Sequence, residues 1–232
     1  MPLLRVSGIG RTVHSDGGEL EVLHAVDLVV ERGEAVGLTG PLDSGWRSFL
    51  RLAVGLDPAT EGTVELEGPP RERPELRQEV VLASALDPLL DAAPGCVPRI
   101  FRMAASRRRR VRAATWPAIV AGAGVESTRG PWTRGERIRL CVALASALAP
   151  ACLLLEVEPL LETPEERAAL AGLLRAVVAA GCGVVLGTRD ELLLAEVAAR
   201  VLIFLDGEVL AEGTPQAVLT AAWRRTRGGG PA

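Results

Sequence analysis

Apolar and polar positions alternate along the first part of the chain. Leu3-Leu4-Arg5-Val6 reads as a strand, and His14-Ser-Asp-Gly-Gly18 has the composition of a loop. Glu21–Val30 carries apolar side chains at period two, then Glu31-Arg-Gly33 turns the chain. Ala35–Thr39 is a short apolar run that fits a buried central strand. Phe49–Leu56 reads as a helix, Gly62–Gly68 as an edge strand between glycines, and Val80–Ser84 as a short buried strand. From Gly135 the pattern becomes regular. Glu136–Leu148 is a helix with Ile138, Leu140, Cys141, Leu144 and Leu148 on its apolar side, and Cys152–Leu155 is a buried strand. Thr163 caps a helix with Pro164 at its first position and an acidic first turn, running to about Ala180. Gly183–Gly187 is the next strand and Glu191–Ala199 a helix; Val201–Leu205 and Glu208–Leu210 close a hairpin through Asp206-Gly207.

Strands alternating with helices imply an α/β fold whose sheet is parallel and joined by crossovers. The earlier strands form an antiparallel β patch on its N-terminal side. Residues 87–135 differ in character: Pro88, Pro94, Pro98 and Pro117 interrupt them, with helical patches at Arg99–Ala105 and Val111–Gly122. The expected organisation is a core made of residues 1–86 and 136–222, a helical subdomain over 87–135, and a disordered basic, glycine-rich tail over 223–232.

Between the strand at 35–39 and the helix from Phe49 stand Gly40-Pro-Leu-Asp-Ser-Gly-Trp-Arg-Ser48. Strand, glycine-bearing loop and helix in that order frame a phosphate-binding loop, and Gly40 and Gly45 have the spacing of G-x-x-x-x-G-K-[ST]. The chemistry departs from it. Trp46 stands where a lysine reaches the β- and γ-phosphates, and Arg47 where a hydroxyl binds magnesium. No lysine occurs anywhere in the chain. Trp46 is expected to place indole volume where phosphate would sit, and Asp43 to repel it. Gly40, Ser44, Gly45, Trp46, Arg47 and Ser48 remain candidate contacts for an anion at a helix N-terminus, and Ser48 with Glu156 the candidate magnesium ligands. The competing reading, which is preferred, is a structural turn.

Composition narrows the setting. A chain of 232 residues with 48% hydrophobic content can bury a sizeable core. Every apolar run is interrupted by charge before the ~18 residues a membrane span needs. MPLLRVSGIG lacks the pattern of a secretory signal, so a cytoplasmic setting is expected. The net charge of −3 gives no pull towards nucleic acid. The run Arg107–Arg110 reads as a solvated face, with anionic lipid contact as the minority reading. Cys96, Cys141, Cys152 and Cys182 show no C-x-x-C spacing and read as buried, reduced thiols. His14 and His24 have no ligand spacing. Asn and Tyr are absent along with Lys, a bias that fits a GC-rich genome.

The order of these elements resembles the nucleotide-binding domain of ATP-binding cassette (ABC) transporters, over nearly the whole chain. LEVLHAVDLVVERGEAVGLTGP, VGLDPATEGTVELEG and RVLIFLDGEVLAEGTPQAVL carry the likeness, which is strongest to the lipoprotein-releasing or macrolide-exporter type. The resemblance implies a P-loop NTPase-like fold, ATP and magnesium as cofactors, and head-to-tail dimers beside a transmembrane permease subunit. Each nucleotide would lie between one subunit's phosphate loop and the other's signature. Laid onto this chain, the stacking aromatic falls at Val13 and the glutamine-bearing loop at Ala83-Ser84-Ala85. The signature L-S-G-G-Q appears as Trp132-Thr133-Arg134-Gly135-Glu136. The magnesium-supporting strand end reads Leu153-Leu-Leu-Glu-Val-Glu-Pro159. In the ungapped register Glu156 takes the aspartate position and Val157 that of the catalytic glutamate; sliding by one residue places Glu158 on that glutamate instead. The ungapped register also places Pro164–Arg167 correctly. Arg189 occupies the switch-histidine position.

These replacements remove the side-chain cation and the water-orienting carboxylate on which phosphoryl transfer depends. Glu156 and Glu158 are then either a magnesium pair or, as preferred, solvated strand-end carboxylates. Thr133–Glu136 either serves a partner's nucleotide or forms a plain helix cap. The expectation is a catalytically degenerate cassette subunit of a membrane transporter, peripheral on the inner membrane face. Its partner would be an intact cassette ATPase or a second copy of itself, and ATP and magnesium would bind weakly or not at all in its own site. Two alternatives stay open: an active ATPase that uses Arg47 with Glu156 or Glu158, and a regulatory binding protein without a transporter.

Overall fold

The computed structural model describes residues 2–15, 18–67, 79–84, 97–106, 115–126, 131–158 and 161–219. Two sheets organise them. β1 (Pro2–Ser15) lies between β2 (Gly18–Glu31) and β4 (Glu61–Leu66) in an antiparallel three-stranded sheet. The second sheet has six strands in the order β5-β6-β7-β3-β8-β9. These are β5 (Val80–Ser84), β6 (Cys152–Val157), β7 (Gly183–Thr188), β3 (Ala35–Thr39), β8 (Arg200–Leu205) and β9 (Glu208–Gly213). All its neighbours pair in parallel except β8 and β9, the predicted hairpin. An α/β core with an N-terminal antiparallel patch is therefore what the chain forms.

Period two decides which side of the large sheet each residue packs on. Leu153, Leu155 and Val157 of β6, Val184 and Leu186 of β7, and Val201 and Ile203 of β8 face one core. That core is covered by α4 (Arg134–Ala147), α5 (Pro164–Ala179) and α6 (Glu191–Val197). The intervening residues Leu154, Val185, Leu202 and Phe204 face a second core, closed by the small sheet and by α1 (Trp46–Ala53). Both faces of the parallel strands are thus covered, which is why β3 and β7 are buried at every residue. Between β5 and α4 lie α2 (Val97–Ser106) and α3 (Trp116–Gly122), where Trp116 meets Trp132 edge-on at 6.3 Å.

Several expected boundaries move. β1 extends through His14 to Ser15, because His14 pairs in register with Glu19 across the hairpin. α1 starts at Trp46 rather than Phe49. Gly45, at φ 97°, forms its N-cap in a conformation that costs glycine nothing. Val111–Gly122 is helical only from Trp116 within the described residues. Arg107–Arg110, Cys96, Ala85, Pro159 and the tail over 223–232 lie outside them. Among the described residues no helix is long and apolar enough to cross a membrane.

Candidate nucleotide-type site

The loop, the end of β6 and the end of β7 converge where the parallel strands finish. That is the edge at which open α/β sheets bind ligands. Gly40 leaves β3 at φ 152°, and a Cβ there would stand 2.2 Å from the Phe204 carbonyl oxygen and 2.6 Å from Ser44 Oγ. A Cβ on Gly45 would stand 2.9 Å from the Val22 carbonyl oxygen. Both glycines are required by close backbone approach. The tight loop predicted from their spacing is retained.

Trp46 does not project into the phosphate space. Its side chain is fully buried in the core between the sheets, against Leu50 and the backbone of Gly187. Burying so large an apolar ring is worth more than leaving it at a polar loop mouth. The expectation of a sterically plugged loop is corrected accordingly: the lysine position has become a core position. The indole Nε1 has no hydrogen-bond partner among the described residues.

Arg47 follows on the next face of α1. Its Nε lies 2.9 Å from Glu156 Oε1, and its guanidinium carbon 5.2 Å from the Trp46 ring centroid, a cation–π distance. The Nε–H makes no directed hydrogen bond, so the contact with Glu156 is an electrostatic pairing rather than a fork. Ser48, half-buried, stands in the first turn of α1. One turn on, Arg51 grips Asp57 through Nε and Nη2 at 2.8 and 2.9 Å, and Arg11 approaches the same carboxylate at 3.3 Å. The Arg51 hydrogen bonds, and behind them the charges of Arg51 and Arg11, hold the Asp57 carboxyl below its ordinary value against the opposing effect of burial.

The β6 end resolves the acidic triplet by parity. Glu156 shares a face with Leu154 and so meets α1; Val157 points oppositely and is fully buried. Glu158 lies just past the strand and is 1% exposed. It accepts from the Arg189 backbone N–H at 2.9 Å and from Arg189 Nε and Nη2, both at 3.0 Å. The same pairing raises the Arg189 pKa above its ordinary value. Solvated strand-end carboxylates were expected, and the structure corrects this: two arginines of other elements take them up. Thr188 ties the strand ends together, donating to the Val157 carbonyl at 2.8 Å and accepting from Asp190 N–H at 3.1 Å. Asp190 caps α6 through Leu193 N–H and takes Arg167 Nε on both carboxylate oxygens. Sequence reasoning missed Arg167 and Asp190. The available signal was the placement of Asp190 just ahead of Glu191, an N-cap pattern.

Thr133, Gly135 and Glu136 open α4 as a complete capping box. Thr133 Oγ1 accepts from Glu136 N–H at 3.2 Å, and Glu136 accepts from Thr133 N–H at 2.7 Å. Gly135 is buried, and a Cβ there would fall 2.4 Å from a Glu166 carboxylate oxygen. A cavity of about 370 Å³ lies elsewhere, lined by Leu3, Arg32, Ala151, Gly181 and Cys182 at the opposite strand ends. It belongs to none of this chemistry.

The residues present do not fit magnesium. A guanidinium occupies the hydroxyl position, Glu156 faces it, and among the described residues no three His, Cys, Asp or Glu side chains group to hold a cation.

No protein-family model matches the chain. It is similar to a putative ABC transporter ATP-binding protein of Streptomyces avermitilis, 32% identical over 216 residues, covering 88% of this chain and 37% of that protein. The chain therefore spans little more than a third of that relative's length. The lipoprotein-releasing system ATP-binding protein LolD 2 of Caulobacter vibrioides is 45% identical over 67 residues, 29% of each chain. Among solved structures, an ATP-binding cassette of an ABC transporter in its ADP conformation superposes with a TM-score of 0.79 at 15% identity, covering 99% of this chain and 100% of that one. Fold and sequence agree, and the chain belongs to the ATP-binding cassette family, as a nucleotide-binding domain of the ABC transporter type.

Proposed function

We propose that this cassette domain serves a membrane transporter as a catalytically degenerate subunit, docked on a transmembrane permease and paired with a competent cassette ATPase or with a second copy of itself. One observation carries the reading: Arg47 and Glu156, which replace the magnesium-binding hydroxyl and carboxylate, are paired with each other. A hydroxyl and an aspartate can share a cation, whereas an arginine and a glutamate satisfy one another and leave it no role. Val157 supports the reading, since a buried valine cannot orient a water. Glu158 supports it too, because its carboxylate is taken up by Arg189 and by backbone N–H. On this reading ATP and magnesium act chiefly in a partner's site, and the domain sits at the cytoplasmic membrane face through its permease. Within 87–135, α2 and α3 would belong to the helical subdomain.

The test is ATP hydrolysis by the purified chain with magnesium. The expected rate equals that of a control without protein, and Trp46→Lys leaves it there, because Val157 still supplies no carboxylate. Magnesium-dependent phosphate release abolished by Glu156→Gln would replace this reading with an active ATPase built on Arg47 and Glu156.

A further inference from the structure

We infer that the outward face of α2 is a contact surface for an anionic lipid bilayer, with Arg99 and Arg102 at the headgroups and Met103 in the interfacial layer beneath them. The inference is independent of whether the chain hydrolyses ATP.

The helix has two faces. Val97 and Phe101, four residues apart, are buried, and Phe101 clusters with Ile119 of α3 and Ala147 of α4. Arg99, Arg102, Met103 and Ser106 have the i, i+3, i+4, i+7 spacing of a single stripe on the opposite side, and all four are exposed. Ser106 donates to the Met103 carbonyl at 2.9 Å, so its hydroxyl turns back on the helix. Met103 is 54% exposed, a large apolar side chain on the same stripe as two guanidiniums.

Charge gives this face its sign. Between Asp91 and Glu126 the sequence holds seven arginines and no acidic residue, a charge of +7 within a chain of net charge −3. Two of the seven are Arg99 and Arg102; the others follow at positions 107–110 and 112. The elements packed against α2 do not compensate. α3 has no charged residue, and Ala143, Leu144 and Ala147 of α4 bring none to the shared cluster. The charges of α4 lie in its first two turns, where Glu136 is engaged in the Thr133 cap. Among the described residues neither Arg99 nor Arg102 makes an ion pair.

A face that is merely solvated carries both signs. This one carries a single sign and an exposed thioether. Arginines on an amphipathic helix are drawn to anionic headgroups, each strengthening attachment about fivefold, and an apolar neighbour enters the headgroup boundary. Nucleic acid would use the arginines without the methionine, and the acidic remainder of the chain repels a long polyanion.

Co-sedimentation of the whole chain with vesicles tests this, using phosphatidylcholine alone and phosphatidylcholine with phosphatidylglycerol in equal parts. Wild type is expected to bind the mixed vesicles and not the zwitterionic ones. It should dissociate at about 1 M salt, where the screening length falls to about 3 Å. Arg99→Gln/Arg102→Gln is expected to weaken binding at least about tenfold, and Met103→Gln several-fold at unchanged charge. Melting scans establish that each variant is folded. Absent binding, or equal binding to both vesicle types, overturns the inference. So does undiminished binding by the double arginine variant, which would move the contact off α2. Equally tight binding to single-stranded RNA, with Met103→Gln without effect on either ligand, would replace the bilayer with a polyanion.

Discussion

Trp46 and Gly187 are complementary across the second core. The indole lies so close over β7 that a Cβ on Gly187 would stand 2.6 and 2.7 Å from Cζ3 and Cε3. Neither atom is the end of a flexible chain, and Leu50 Cδ1 at 2.9 Å blocks a third direction. Gly187→Ala is expected to destabilise the fold by about 1–3 kcal/mol through overpacking. Each kcal/mol lowers the melting temperature by roughly 2–4 °C in a domain of this size. Trp46→Leu in the same chain should relieve the clash while leaving its own cavity. The double variant should therefore lose less than the sum of the two single losses, and strict additivity would show that the two side chains do not compete for space.

What the sequence disclosed follows the range of each interaction. Strand faces such as Leu153, Leu155 and Val157 against Leu154 are set by parity, a local property, and were readable. So was the Thr133–Glu136 cap, whose two partners are three residues apart. Trp46 was misplaced because its burial depends on Gly187, far along the chain. The carboxylates of Glu156 and Glu158 read as solvated in the sequence because their partners, Arg47 and Arg189, come from other elements. A trace of both pairings was nonetheless present. Each chemical position that gained an arginine has a counterpart that holds a glutamate.

The two pairs should respond differently to loss of their arginine. Glu158 is buried, and Arg189→Ala strips its side-chain donors. The expected cost is about 1–3 kcal/mol for an under-satisfied buried group. Arg189 is 36% exposed, so water can enter the vacated position and keep the cost below that of a fully enclosed pair. Arg47→Ala removes an undirected ionic contact and a cation–π contact with Trp46, and should cost about 1 kcal/mol. Urea denaturation of both variants gives the order. Equal losses would contradict the distinction between a structural clamp and a releasable contact.

Asp57 should add an acid-sensitive increment of stability. Its native pKa is lowered, chiefly by the hydrogen bonds from Arg51. The unfolded chain therefore holds this proton more tightly than the native one. Stability from Asp57 is complete above the ordinary aspartate value of about 3.9 and is lost as pH falls through the lowered native value. Asp57→Asn should lower stability at neutral pH and flatten its decline below about pH 4. Parallel wild-type and variant curves across that range would mean that the Arg51–Asp57 contact adds nothing in solution.

If the chain completes a composite site, the start of α4 faces the other subunit's nucleotide. Gly135 is a poor place to test this, because any side chain there must displace the Glu166 carboxylate. Arg134 is better suited. Its side chain is 36% exposed, and among the described residues Nη1 makes only a long contact, 3.4 Å, to an exposed Glu162. Removing it should leave the fold intact. Thr133→Ala is the structural control, expected to cost about 0.5–2 kcal/mol through the lost cap. In a co-expressed complex with a competent cassette, Arg134→Ala should lower ATPase activity without lowering the melting temperature, whereas Arg47→Ala should leave the activity unchanged. Such a split would place the working cation of the chain at its signature rather than its loop. Undiminished ATPase with Arg134→Ala would reduce the chain's part to scaffolding.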